Sequence, residues 1–287
     1  MLIRHSRTGA ESSVQKYVDD PGDDLPAEIV GAWSEEKHER LRRYVDASRG
    51  ARRKYLDRSE AAYIDLFCGP GRANIRNTDR FIDGGAVAAC GMAREKDTPF
   101  SVVHIGDTNQ AMVDACARRL EKLGENVKRH YGPAEMTVEE ACVQLDRYGL
   151  HLAYLDPYDL ASLPFSIIER LAGFQRMDMI IHFSTQDLQR NLGRYLKSQP
   201  SPLDVFAPGW RENVDTDSRS LPASRAAILD HWLDIVRSLN MEPSRGELIR
   251  ASRGQRLYWL MFVSRHELAD KLWNDIRNIK GQTELPV

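Results

Sequence analysis

The 287-residue chain is poor in the features that mark specialised protein classes. It has only four cysteines, Cys68, Cys90, Cys116 and Cys142, and no CxxC pair. Such wide spacing offers no zinc ligand set, and a chain of this size needs no disulfide framework. Four reduced, mostly buried thiols and a cytoplasmic location are therefore expected. No run approaches 18 apolar residues, so no membrane span is expected. The opening MLIRHSRTGAESS lacks the apolar stretch of a secretory signal. A net charge of −2 gives no global attraction to nucleic acid. A G-x-G-x-x-G fingerprint and a Gly-Lys-Ser/Thr phosphate loop are also missing, which argues against a dinucleotide or a nucleoside triphosphate as ligand.

What the chain does have is alternation. Residues 1–30 carry PGDD and LP breaks and read as an irregular arm. A helix is expected from Trp33-Ser34-Glu35-Glu36, with Ser34 as N-cap, to about Ser48, where Gly50 ends it. Strand-like segments at 61–67, 100–106, 126–131, 150–157 and 177–183 then alternate with helix-like segments at 84–96, 109–124, 134–149, 164–175 and 185–198. Residues 199–223 hold four prolines and read as an inserted loop or lid. After a further helix, GELIRAS and RLYWLMFVS flank Arg253-Gly254-Gln255 as an antiparallel hairpin, and a last helix closes the chain. The expectation is an α/β domain over 31–287: a Rossmann-like, mostly parallel central sheet with helices on both faces. Dehydrogenase sheets of this kind finish with parallel strands, whereas class I methyltransferase folds end in a reversed strand, as expected here.

In open α/β sheets, ligands sit at the carboxyl ends of the strands. The first strand of the series ends in Asp65-Leu66-Phe67-Cys68-Gly69-Pro70-Gly71-Arg72. Glycine offers no side chain to obstruct a close ligand, so Asp65, Phe67, Gly69, Pro70 and Gly71 are candidate cofactor contacts. The next strand ends at Asp107, whose carboxylate could accept bonds from the ribose hydroxyls of an adenosine; it could equally be a helix N-cap. Pro133 and Ala134 follow the third strand, where an adenine edge could lie.

The sharpest catalytic candidates are Asp156, Pro157 and Tyr158. A nucleobase amine is a poor nucleophile because its lone pair is delocalised into the ring. A carboxylate and a turn carbonyl can accept its N–H bonds, and an aromatic can stack on a flipped base. The same residues also fit an ordinary strand-to-loop turn. Asp187, Arg190 and Asn191 share one helical face and either line the cleft or form a solvated helix start. His182 reads as a core histidine. Nine basic residues lie between Lys37 and Arg58, and Arg72, Arg76 and Arg80 lie on one expected loop. Lys37, Arg52, Arg53 and Arg72 are the candidate contacts to a phosphate backbone, against the plainer alternative of a solvated helix face.

The combination W-S-x-x-K at Trp33–Lys37, Y-I-D-L-F-C-G-P-G-R at 63–72, L-D-P-Y at 155–158 and F-S-x-x-D-L-x-R-N at 183–191 resembles the three-Cys-motif partner protein family, over roughly residues 33–280. The resemblance implies a class I methyltransferase-like fold, S-adenosylmethionine as cofactor, and a partner protein bearing a three-cysteine cluster of a kind this chain lacks; the wide cysteine spacing separately points to no metal. Amino-methyltransferases usually carry Asp-Pro-Pro-Tyr; here the aromatic follows a single proline. Three expectations stand together. The first is a methyltransferase acting on RNA or DNA, with an exocyclic base amine as acceptor. The second swaps the acceptor for a protein or small metabolite. The third is a non-catalytic module serving a partner.

Overall fold

The computed structural model describes residues 15–183, 185–244, 247–250 and 256–278. The chain enters through two short strands, β1 (Tyr17–Asp19) and β2 (Pro26–Val30), paired antiparallel. Helices α1 (Trp33–Ala47) and α2 (Arg49–Leu56) lead into β3 (Ala61–Asp65). After the glycine turn come β4 (Arg72–Ile75) and β5 (Phe81–Asp83), an antiparallel pair, and then α3 (Gly85–Glu95). The regular alternation follows: β6 (Val102–Asp107), α4 (Gln110–Lys122), β7 (Val127–Tyr131), α5 (Ala134–Gln144), β8 (Leu150–Leu155), α6 (Phe165–Ala172), β9 (Met177–Phe183) and α7 (Thr185–Tyr195). Two short helices, α8 (Pro202–Phe206) and α9 (Trp210–Asn213), precede α10 (Leu221–Ser238). The chain finishes through β10 (Glu242–Pro243), β11 (Glu247–Arg250), β12 (Arg256–Ser264) and α11 (Glu267–Asn278).

The main sheet runs β10-β12-β9-β8-β3-β6-β7, with β11 also on β12. Strands β7, β6, β3, β8 and β9 are parallel, and β12 lies antiparallel against β9. All five residues of β3 are buried, as a central parallel strand covered on both faces requires. Side chains alternate between two cores. Ala62 and Ile64 face the layer of α5, α6, α7 and α10, while Tyr63 faces that of α1, α3, α4 and α11. The chain moves outward from β3 to β6 and β7, then returns to the other side as β8. The β3/β8 boundary is therefore the switch point where a cleft opens at the carboxyl edge.

Four expectations are corrected. Residues 17–30 are not an irregular arm: β2 pairs in parallel with β4 (Val30 opposite Ile75), making a second, four-stranded sheet, β1-β2-β4-β5. Residues 72–83 are accordingly strands rather than a loop. Ser34 does not cap α1, whose first helical residue is Trp33, and Gly50 lies inside α2; the break between helices falls at Ser48. Residues 199–223 are part of the helical layer rather than a lid. Phe206 meets Phe183 edge-on at 5.0 Å and stacks on Trp232 at 5.7 Å, and Ser201 forms a capping box on α8. The Arg253-Gly254-Gln255 turn lies outside the described residues.

Candidate active site

A cleft of about 440 Å³ lies at the carboxyl edge of the main sheet, roofed by the small sheet. That volume falls within the roughly 300–1,000 Å³ of small-molecule sites. Its floor is the turn after β3. Gly69 has φ +51° and lines the cleft, so a close ligand meets backbone there. Asp107, at the end of β6, accepts the Gly69 amide at 3.2 Å and the Asn109 amide at 2.9 Å. A carboxylate has about four lone-pair directions, so capacity remains for ribose hydroxyls. Phe67, Pro133 and Ala134 also line the cleft.

The opposite wall is built around Asp156, which follows β8. Lys37 Nζ lies 2.5 Å from its Oδ2, and His182 Nδ1 lies 2.6 Å from its Oδ1. Helix α1 delivers Lys37 because Lys37, Leu41, Tyr44 and Val45 share its buried face. Tyr44, one end of that stripe, donates to Asp178 Oδ2 at 2.7 Å near the start of β9, so Lys37 at the other end falls over the carboxyl edge. Burial pushes the Asp156 carboxyl up, but the Lys37 ammonium and then His182 outweigh it and hold it well below the usual carboxylate range. Burial pushes His182 down more strongly than Asp156 pulls it up. Asp156 is thus ionised and accepts only, so the neutral imidazole must carry its proton on Nδ1 to donate to it.

Glu28 on β2 completes the roof. Its carboxyl is pushed up by burial, against the nearby Lys16 (3.9 Å). A Cβ added at Gly69 would lie 3.7 Å from Glu28 Oε2, which places that carboxylate directly over the glycine turn. At the mouth, Tyr158 is 85 % exposed, Lys16 lies 5.7 Å above its ring, and Trp33 and Arg76 stand nearby.

Several expected contacts lie elsewhere. Asp65 is buried beneath the turn, accepting the Phe67 amide at 3.1 Å. Its carboxyl is pushed up to about 8 by burial, with Asp156 and Asp107 adding to the rise. Pro70 and Gly71 turn away from the cleft. The Pro70 carbonyl accepts from Arg119 at 2.7 Å, and Gly71 (φ +75°) packs against Cys116. Arg72 pairs with Asp20 and Asp83 inside the small sheet. Asp187 serves the loop after β8, accepting from the Leu160 amide (3.1 Å), Asn191 (2.6 Å) and Tyr195 (2.7 Å); neither it, Arg190 nor Asn191 lines the cleft.

Arg52 and Arg53, expected along a phosphate backbone beside the cleft, lie away from it. Helix α2 sits at the amino edge of the sheet, where the buried Arg52 guanidinium bonds Thr98, just before β6. Two positions that shape the site are not evident in the sequence. His182 there suggests a core histidine. Arg119 on α4 ties the roof to the floor through Asp23 (2.7 Å), the Pro26 carbonyl (2.8 Å) and the Pro70 carbonyl (2.7 Å).

Among the described residues no helix is long and apolar enough to cross a membrane, and no group of three or more His, Cys, Asp or Glu is placed to hold a metal ion. No family model matches the chain, and no curated protein matches it. Solved structures do resemble it. Protein LPL1258 from Legionella pneumophila is 8 % identical, with 84 % of this chain and 90 % of that one covered at a TM-score of 0.49. An O-methyltransferase from Bacillus cereus, crystallised with SAH, is 11 % identical, with 85 % and 86 % covered at 0.47. An rRNA methylase from Streptococcus thermophilus is 12 % identical, with 82 % and 98 % covered at 0.39.

Proposed function

We propose that the cleft holds S-adenosylmethionine and that the protein transfers its methyl group to a nucleic acid, with an exocyclic base amine as acceptor. The observation that carries this reading is the ionised Asp156 facing the Gly69–Asp107 floor across one cleft. The floor suits the cofactor: an unobstructed glycine backbone, a strand-end carboxylate with spare acceptor capacity, and Pro133 and Ala134 at the third strand end. Acidic groups at Glu28, Asp107 and Asp156 also suit a sulfonium cation. When bound, the cofactor supplies an electrophilic methyl group.

The chain's own residues would do the rest. Lys37 and His182 each take one lone-pair direction of Asp156 and fix its orientation, leaving others for the N–H of an acceptor amine. Because the carboxylate stays ionised, it accepts that bond more strongly as positive charge develops on nitrogen. Tyr158 stands exposed at the mouth, free to stack on a base, and Lys16 and Arg76 flank it as cations for the adjoining phosphates. Lys37 favours a second reading of the acceptor: an ammonium at the reacting end would stabilise the developing oxyanion of a hydroxyl.

The test is single-turnover transfer from methyl-labelled S-adenosylmethionine to RNA and DNA, with nucleoside mass spectrometry of the product. Asp156→Asn, which turns an acceptor into a donor, should raise the barrier of the chemical step by about 2–4 kcal/mol, well beyond any weakening of cofactor binding from the lost charge. An O-methylated product would select the second reading. Near wild-type turnover in Asp156→Asn would sink the amine reading, and near wild-type turnover in Lys37→Met the hydroxyl reading.

A further inference from the structure

At the amino edge of the main sheet, opposite the cleft, lies a second cavity of about 210 Å³. Its walls are mainly apolar, from Tyr44, Phe100, Leu152 and Leu272, and the exposed Leu268 stands at its margin. A buried cation also lines it. Arg52 is 2 % exposed and bonds no carboxylate among the described residues; its guanidinium lies 4.8 Å over the Phe100 ring, and Asp46 acts on it only at longer range. Its partners are neutral: Thr98 O (2.6 Å), Thr98 Oγ1 (2.9 Å), Val45 O (3.0 Å) and Ser48 Oγ (3.3 Å). Of five N–H donors, these use four, and one on Nη1 is left over.

A buried charge is ordinarily paired, because its desolvation is otherwise uncompensated. That cost is visible here, since burial pushes the Arg52 guanidinium down to about 10. The acid that lines the cavity, Asp178, is engaged elsewhere. Asp178 is held by Tyr44 Oη at 2.7 Å and Ser264 Oγ at 2.6 Å, and burial pushes its carboxyl up. Arg176, stacked over Tyr55 at 5.5 Å, adds a second cation to the wall.

We propose that this cavity is a binding site for an amphiphilic monocarboxylate, whose apolar body fills the space while its carboxylate meets the spare donor of Arg52. A mainly apolar chamber selects the body, and a buried guanidinium bonded to no carboxylate selects the head. The site is separate from the methyl-transfer cleft and does not depend on that assignment.

Octanoate and 1-octanol, of equal chain length and differing in charge, are the probes. Equilibrium dialysis of the full chain should show saturable octanoate binding, with 1-octanol about tenfold weaker or more, as expected for loss of a bond to a charged donor. Arg52→Gln should abolish that preference. Should Arg52→Gln fail to fold, Leu272→Trp decides, because it fills the chamber while Arg52 itself is kept, and should abolish octanoate binding in a folded protein. The proposal is overturned by equal binding of the two probes, by no octanoate binding at about 10 mM, well beyond a weak millimolar affinity, or by undiminished binding in Leu272→Trp.

Discussion

Replacing Lys37 with methionine keeps the length of the side chain and removes its charge, which isolates the pair that organises the candidate active site. The ammonium and the Asp156 carboxylate are 2.5 Å apart, with side chains only 9 % and 21 % exposed. At an effective dielectric of about 20, their attraction is about 7 kcal/mol. Desolvating the lysine offsets a good part of that, and removing one member of a buried pair generally costs about 3–5 kcal/mol because the other charge is stranded. Since Asp156 keeps His182 and some solvent contact, the lower end applies, about 3 kcal/mol by urea unfolding at neutral pH.

The pH dependence has a definite sign. In the wild type the Asp156 pKa is depressed, so its stabilisation is complete above the unfolded carboxylate pKa and is lost progressively below it, until pH has fallen through the much lower folded value. Without Lys37, burial dominates and the folded pKa rises. The variant then takes up its proton at a higher pH, and its deficit narrows on acidification. Asp156→Asn should relieve the stranded charge, so Lys37→Met should cost clearly less in that background. A Lys37→Met protein within about 0.5 kcal/mol of wild type, with no coupling in the double-mutant cycle, would refute the reasoning.

Two further outcomes follow from the same geometry. Gly71→Ala should destabilise by about 2–4 kcal/mol in thermal or urea melts, because a Cβ at φ +75° would also stand 2.9 Å from Cys116 Sγ and 3.0 Å from Val87; an unchanged melt would mean the turn can relax away from α4. If RNA or DNA binds at the mouth, reversing charge at Lys16 or Arg76 should reduce the log–log salt slope of binding by about 1, whereas Arg53→Glu at the far edge should leave it unchanged.

The frame was legible in the sequence because its signals are local. Helices such as Gln110–Lys122 repeat apolar residues at the helical period, and strands such as Met177–Phe183 are short, dense apolar runs between breaks. Asp107 and Asp156 were readable as site residues because both stand at the ends of such strands. The small sheet was not legible. Tyr17–Asp19 and Arg72–Ile75 are short, and β2 owes its place to pairing with β4 more than forty residues away in sequence, a contact that no local pattern encodes. The PGDD turn, read as a break, is the hairpin turn itself, with Asp20 accepting the Gly22 amide at 2.9 Å. The role of His182 is hidden from sequence for a similar reason. A histidine in a buried strand looks the same whether it fills space or meets a carboxylate, and what distinguishes it here is Asp156 on the neighbouring strand. The basic run from Lys37 to Arg58 was read as one surface. Helix α1 instead runs from edge to edge of the sheet, so Lys37 lies at the carboxyl edge and Arg52, past the break at Ser48, at the amino edge.

The central claim is that the Gly69–Asp107 floor holds S-adenosylmethionine, and calorimetric titration of the purified protein with that cofactor tests it most directly. One site per chain with a submillimolar Kd is expected, weakened about tenfold or more in a folded Asp107→Ala protein, as loss of hydrogen bonds to a charged acceptor requires. No binding heat up to about 1 mM cofactor, or an affinity unaltered by Asp107→Ala, would contradict it.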